Sequence, residues 1–437
     1  MRLADRLSGK GQPAKAAEGG ELEQSLGAMH REVVDRLDMA GVRQADPESL
    51  RAHVSELVQQ ILARQNAQVT DQQRERFVTA IVDEIVGLGP LQPLLADPSI
   101  SDILVNGPNN VFVERGGVLE KTSIRFRDNA HLLNTINRIV GRIGRRIDEA
   151  SAMVDARLPD GSRVNAIIPP LAIDGPVLSI RRFATGPVTP KDLVRTGAMT
   201  SGMAKFLQCA VRSKCNILVA GGTGAGKTTL LNALSSFIPG EERIVTIEDS
   251  AELRLQQEHV VRLETRPANI EGKGEVSIRD LVKNALRMRP DRIIVGEVRS
   301  SEVLDMIQAM NTGHEGSMTT VHANTADDAV TRLVSMLGMA GTKLSESMMQ
   351  QMIARAMHLI VHVVRQTDGF RRIGTVAEVQ WDRGAPHLHE VYRFEQYGVD
   401  EHGRVLGEYA CTGRSGLLER FQAAGVPLHP SCLEARQ

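Results

Sequence analysis

The sequence predicts an α/β protein whose larger part is a parallel-type sheet with crossover helices. Two observations carry that prediction. From residue 216 onward, short apolar runs of strand length alternate with segments whose apolar residues recur at helical spacing. One of those runs leads directly into Gly221-Gly222-Thr223-Gly224-Ala225-Gly226-Lys227-Thr228, and a helical pattern follows it. The composition agrees. The chain has 437 residues, a formal net charge of -1, 42% hydrophobic residues and 24% charged residues. That is the balance of a globular chain long enough for more than one domain.

Residues 1–20 are polar and rich in Gly, Ala and Lys, and read as a disordered tail. They carry both signs of charge and no apolar core, so no signal peptide is expected. Residues 21–88 read as a helical module. Asp46-Pro47 looks like a cap followed by proline at the first helical position, and Val54, Leu57, Val58 and Ile61 repeat at helical spacing. Thr70 with Gln73 fits a capping box, and Phe77, Ile81 and Ile85 continue the stripe. Residues 89–185 are mixed. β-like runs at 103–105, 111–114, 164–168 and 177–182 surround a helix near 131–147. Asn106-Gly107-Pro108, Arg115-Gly116-Gly117 and Asp160-Gly161-Ser162 are the turn signals between them. Gly186-Pro187 and Pro190 mark a linker into residues 186–437. There, strands are expected at 216–220, 243–247, 292–295 and 317–321, with helices around Ile278 to Ala285 and Val303 to Met310. The last part reads as strands around Trp381, then a helix near 417–424.

Composition also excludes. Aromatics are 3% with one tryptophan, too few for a single-strand stacking platform, and near-neutral charge argues against a basic nucleic-acid footprint. Cys209, Cys215, Cys411 and Cys432 have no C-x-x-C spacing and read as reduced structural thiols. No stretch reaches the roughly 18 apolar residues of a spanning helix. The nearest, 353–364, is broken by Arg355 and two histidines.

The glycine-rich stretch matches G-x-x-x-x-G-K-[ST] with its required strand before and helix after. Gly222, Thr223, Gly224, Ala225, Gly226, Lys227, Thr228 and Thr229 are the candidate phosphate ligands. Inward-turned N–H groups cradle phosphate oxygens, and the helix N-terminus adds its dipole. Lys227 would reach the β and γ phosphates, and Thr228 would hold Mg²⁺. The next strand ends in Ile247-Glu248-Asp249-Ser250-Ala251-Glu252, where one carboxylate can orient an attacking water. The alternative is acids placed at a helix start by the dipole. A later strand ends in Gly296-Glu297, whose acid is expected to reach Mg²⁺ through water, or else to be solvated. His314 and His322 flank a further strand. Without H-E-x-x-H spacing or a nearby cysteine, a zinc site is not expected. Both histidines fall at strand ends beside the proposed site, as structural groups or as sensors of the γ-phosphate.

Taken in order, the phosphate loop, Ile247-Glu248-Asp249 with Glu252, Arg289-Pro290-Asp291-Arg292-Ile293-Ile294-Val295-Gly296-Glu297 and Thr312-Gly313-His314-Glu315-Gly316-Ser317 resemble the type II/IV secretion ATPase superfamily. The segments match its Walker A, Asp box, Walker B and His box, and the resemblance spans residues 77–376. It is closest to the tight-adherence (Flp-type) pilus assembly ATPases, which share Arg157-Leu158-Pro159-Asp160-Gly161-Ser162-Arg163 with type IV secretion ATPases. The resemblance implies a RecA-like P-loop ATPase domain over 186–437, a smaller α/β N-terminal domain over 89–185, and the helical module before it. It implies ATP and Mg²⁺ as cofactors, with Thr228 and Glu297 toward the metal. Glu252 matches the water-activating acid, and His314 and His322 the two His-box histidines. Arg163 and Arg181 match N-domain arginines that reach the terminal phosphates; without the family they would read as solvated strand charges. The four-cysteine zinc module of some pilus extension ATPases is missing from the cysteine spacing. Members work as homohexamers at the cytoplasmic face of the inner membrane, against polytopic platform proteins. The resemblance thus implies membrane contact through partners and a motor for pilus assembly or retraction; composition, not the resemblance, argues against a nucleic-acid partner. A hexameric nucleic-acid translocase and a non-hydrolysing ATP-binding scaffold are the two alternative classes.

Overall fold

The computed structural model describes residues 32–33, 46–64, 69–142, 144–182, 188–266, 268 and 273–434. The expected tail at 1–20 and the Gly186-Pro187 part of the linker lie outside them. The chain divides into two compact units, Met1–Thr185 and Gly186–Gln437.

In the first unit, the helices Pro47–Arg64 and Asp71–Ile85 come before a sheet. Asp46 caps the first helix by accepting from the N–H groups of Glu48 and Ser49 at 3.0 and 2.9 Å. Thr70 and Gln73 form the capping box at the start of the second. Their apolar stripes meet in one cluster that includes Val54, Val58, Ile61, Phe77 and Ile81. The strands that follow are β1 (Ile100–Asn106), β2 (Val111–Arg115), β3 (Val118–Lys121), β4 (Met153–Arg157), β5 (Arg163–Ile167) and β6 (Val177–Arg181). They form a six-stranded sheet ordered β3-β2-β1-β6-β5-β4, with all neighbours antiparallel. Period-2 alternation puts Ile103, Val105, Val164, Leu178 and Ile180 on one face, where Leu132, Ile136 and Ile139 of the helix Asn129–Gly141 cover them. Buried His131, on that helix, lies 2.9 Å from Glu84 Oε1 and ties the two-helix module to the sheet.

The second unit holds the strands β7 (Ile217–Gly221), β8 (Ile244–Glu248), β9 (Val260–Glu264), β10 (Arg292–Val295), β11 (Met318–His322), β12 (Leu359–Arg365), β13 (Arg371–Asp382), β14 (Ala385–Val399) and β15 (Val405–Cys411). They form a nine-stranded sheet ordered β15-β14-β13-β12-β7-β11-β10-β8-β9. From β12 to β9 every pairing is parallel, and β13–β15 extend the sheet as an antiparallel meander. Strands β7, β8 and β10 are buried along their whole length, because helices cover both faces. On one face Met203, Phe206 and Leu207 of the helix Ser201–Arg212 pack with Leu230, Leu231 and Leu234 of the helix Lys227–Ser235. Helices Ile278–Ala285, Glu302–Asn311, Ala326–Met339 and Glu346–Ala356 cover the other face. This is a RecA-like domain preceded by a smaller α/β domain. It places the ends of β7, β8, β10 and β11 along one edge, where ligands bind in open parallel sheets.

Candidate functional site: a phosphate loop with its acids

The glycine-rich stretch leaves β7 and enters the helix Lys227–Ser235. Gly224 and Gly226 have φ of +68° and +100°, the left-handed region that favours glycine. Gly221 is required by close approach, since a Cβ there would lie 2.6 Å from the Val363 carbonyl oxygen of β12. The cap residue Gly226 has no side chain to satisfy the first-turn N–H groups, so they remain donors for an anion.

Lys227 is buried, and its Nζ donates to the Gly221 and Gly222 carbonyls at 3.1 and 2.9 Å. The same Nζ is 3.2 Å from His322 Nδ1. Across the ring, His322 Nε2 is 3.3 Å from Glu297 Oε1. Arg299 grips Glu297 twice, Nε to Oε1 and Nη2 to Oε2, both at 3.0 Å. Its Nη1 also reaches Asp249 Oδ2 at 3.4 Å. The ends of β7, β11, β10 and β8 are thus joined by one chain of charged and polar groups. Burial lowers the pKa of Lys227, opposed by nearby Glu297. Burial, then the Lys227 charge, lowers that of His322. The hydrogen bond to Glu297 raises that of Arg299. Gly222, Thr223, Arg299, His322, Asn324 and Arg332 help to line a cavity of about 580 Å³ beside the loop.

The three acids at and after the end of β8 have different surroundings. Glu248 is buried, and burial pushes its carboxyl up to about 7. Asp249 is exposed beside Arg299, and Glu252 is half-buried.

The family model of the type II/IV secretion system proteins matches residues 84–404. This chain belongs to that family. A putative conjugal transfer protein of Mycobacterium tuberculosis is 39% identical over 307 residues, 69% of this chain and 87% of the relative. The conjugal transfer protein TrbB of Rhizobium radiobacter is 34% identical over 302 residues, 68% of this chain and 89% of the relative. Among solved structures, the VirB11 ATPase of the Brucella suis type IV secretion system is 30% identical, with 66% of this chain and 91% of that chain covered and a TM-score of 0.37.

The His box of this secretion-family chain is split by the fold. His322 lies at the loop, but His314 does not. In the β11–β7 register His322 pairs with Gly221 and Met318 with Ile217. His314 precedes Met318, so it sits at the opposite edge of the parallel strands, roughly 13 Å or more away at about 3.3 Å per residue. Both histidines do fall at the ends of a strand, as expected, but the register puts only His322 beside the proposed site. At that far edge, Asn216 Oδ1 accepts from the N–H groups of Gly316 and Ser317, and the Ser317 hydroxyl donates to the His314 carbonyl.

Arg163 and Arg181 belong to the first unit. Register pairs Arg163 with both Arg181 and Arg157, so three arginines form a row on one sheet face. Arg181 Nε donates to Asp102 Oδ1 at 3.1 Å. In the sequence, Arg157 stands out only within the shared stretch 157–163, and nothing there places it in a row with Arg163 and Arg181. Its signal, charge at period 2 with Asp155 in β4, identifies a solvent face without naming its neighbours.

Thr228 is half-buried on the first turn of the loop helix, and Thr229 is exposed. A hydroxyl and a carboxylate, with no soft ligand, suit Mg²⁺, which keeps most of its shell as water and phosphate oxygen. Among the described residues no cluster of three or more His, Cys, Asp or Glu could hold a metal ion by itself.

Proposed function

We propose that this chain is an Mg²⁺-dependent ATP hydrolase that works as a homohexameric motor of a type IV-like tight-adherence pilus or a related secretion machine. The chain of contacts Lys227–His322–Glu297–Arg299 beside the phosphate loop is the observation that supports it most directly. A cation, a ring able to relay and an acid stand together next to a loop suited to phosphate.

In this reading the loop N–H groups bind the phosphates, and Lys227 exchanges its carbonyl partners for phosphate oxygens. Thr228 and, through water, Glu297 would hold Mg²⁺, which supplies charge neutralisation when bound. Glu252 orients the water, and His322 relays the γ-phosphate's presence to Glu297. Arg163 and Arg181 read the terminal phosphate from the N-terminal domain, and its loss lets the domains move. Phosphoryl transfer asks for positioning and charge stabilisation more than covalent help, which suits this set.

The motor acts at the cytoplasmic face of the inner membrane through polytopic platform proteins. No single helix among the described residues is long and apolar enough to cross a membrane. Resemblance of the helical front and of Gly89-Pro90-Leu91 through Asn106-Gly107 to the pilus subgroup supports the tight-adherence reading. The relatives' names favour a second reading, a conjugal transfer or type IV secretion machine. Phosphate release by purified protein, with Glu252→Gln as control, tests the hydrolase. Loss of surface pili, against loss of plasmid transfer, in a deletion strain separates the two machines. Turnover stimulated by added DNA or RNA would instead support a translocase.

A further inference from the structure

We infer that Glu248 is a positioning residue, whose buried carboxyl fixes the backbone of residues 252–253 and so aims the Glu252 side chain. The inference rests on Glu252 being the water-orienting acid. Residues 251–257 leave β8 without regular structure, so their N–H groups have no ladder to join. Three successive ones are nevertheless held by side chains. Glu248 Oε2 accepts from Glu252 N–H at 2.7 Å and from Leu253 N–H at 2.9 Å. Asn232 Oδ1, on the helix that begins with Lys227, accepts from Arg254 N–H at 2.9 Å. The Glu252 loop is therefore tied both to the end of its own strand and to the phosphate-loop helix. Leu253, whose N–H is one of those held, has its side chain fully buried in the core.

The site is shaped for the Glu248 side chain. A Cβ on Gly296 would stand 2.8 Å from Glu248 Cγ, so glycine just before Glu297 leaves the room. Glu248 is wedged between the backbone that carries Glu252 and the backbone that carries Glu297. Its other oxygen, Oε1, is buried with no hydrogen-bond partner among the described residues. An acceptor oxygen at the Oε2 position is what the tie requires, and a neutral amide supplies one.

The test compares wild type, Glu248→Gln, Glu248→Met, Glu252→Gln and the Glu248→Met/Glu252→Gln double variant. Each is measured for kcat and KM with Mg-ATP, for affinity toward a fluorescent ATP analogue, and by thermal melt. Methionine fills the volume and accepts no strong hydrogen bond. Glu248→Met should lower kcat by roughly 10–100-fold, the scale of a misplaced catalytic group, while analogue affinity stays within about twofold. Glu248→Gln should restore most of kcat. In the double variant, Glu248→Met should remove nothing beyond Glu252→Gln, because it acts through that residue. Should Glu248→Met fail to fold, Glu248→Asp takes its place, one methylene short of the N–H pair, with the same expectation. Wild-type kcat in Glu248→Met or its substitute would overturn the inference. So would a Glu248→Gln as impaired as Glu248→Met, or a double variant well below Glu252→Gln. Wild-type kcat in Glu252→Gln would instead overturn the assignment of Glu252.

Discussion

Acid should loosen the second unit through His358, and the size of the effect follows from its surroundings. His358 precedes β12 at the edge of the sheet opposite the phosphate loop. Its Nδ1 lies 3.0 Å from the Asn216 backbone nitrogen, and its Nε2 lies 2.9 Å from Arg420 Nη1. Two donors thus converge on a ring that, when neutral, has one lone pair to offer, and none when protonated. Burial first, then the Arg420 charge, lowers its pKa from 6.5 to about 4, with Glu315 opposing. Between those values the unfolded chain binds the proton and the folded one does not, so stability falls as pH falls from 6.5 to about 4. The gap corresponds to about 3 kcal/mol, fully lost below the lower value and absent as an effect above the upper one. Glu248 acts in the opposite sense. Its carboxyl is raised from 4.5 to about 7, so the folded state binds its proton more readily, and stability falls as pH rises through that window. The two slopes oppose each other between about pH 4.5 and 6.5, so the wild-type curve alone does not isolate His358. The informative comparison is with His358→Gln, whose amide oxygen can accept from Asn216 and cannot titrate. Urea unfolding followed by the fluorescence of Trp381, the one tryptophan and part of the second unit, is the assay. From about pH 7 to about pH 4, wild type should lose about 3 kcal/mol relative to the variant. Parallel curves for the two proteins would refute the argument.

Other consequences are equally direct. Gly316 has φ of +83°, and a Cβ there would lie 2.0 Å from Arg292 Nη1, a fully buried guanidinium paired with Glu242. Gly316→Ala should therefore cost about 3–5 kcal/mol in denaturant unfolding by displacing that buried ion pair; a change under about 0.5 kcal/mol, ordinary for a surface site, would show that the backbone yields. Arg163→Ala and Arg181→Ala should fold normally, lose most ATP turnover and weaken ATP more than ADP binding in nucleotide titrations. Equal weakening of both nucleotides would mean that the arginines do not read the γ-phosphate. His322→Ala should lower kcat with ATP affinity kept, as expected for a group that relays the γ-phosphate's presence rather than holding the nucleotide; a rise in KM alone would make His322 a simple binding group.

The parallel core was legible because its strands are short apolar runs and its helices carry clean stripes. The missed strands lack that contrast. All four residues of β3 are exposed, and β4 and β9 mix charged with apolar residues. β12 is hidden differently. Residues 353–364 read as one mostly apolar stretch, but the helix Glu346–Ala356 stops at Met357, whose ψ of 132° is extended, and the strand begins at Leu359. The helix expected near 131–147 ends at Gly141, as Gly144 takes a positive φ. At the site, the motif identified the loop, Lys227 and the candidate acids. It could not rank Glu248, Asp249 and Glu252, because adjacency in sequence says nothing about which carboxyl turns inward. Nor could it separate His314 from His322. Residues flanking a parallel strand lie at opposite sheet edges, and only one edge carries the phosphate loop. The row Arg157, Arg163 and Arg181 depends on register between three strands, which a single sequence does not state.

The central claim is that Lys227 and the loop around it serve ATP hydrolysis, and phosphate release by the purified full chain with Mg-ATP tests it most directly. Wild type should turn ATP over, and Lys227→Ala should lower the rate by about 10²–10³, the effect of removing one preorganised charge from the transferring group. A wild type that binds ATP yet releases no phosphate above the blank, or a Lys227→Ala protein with the wild-type rate, would contradict the account.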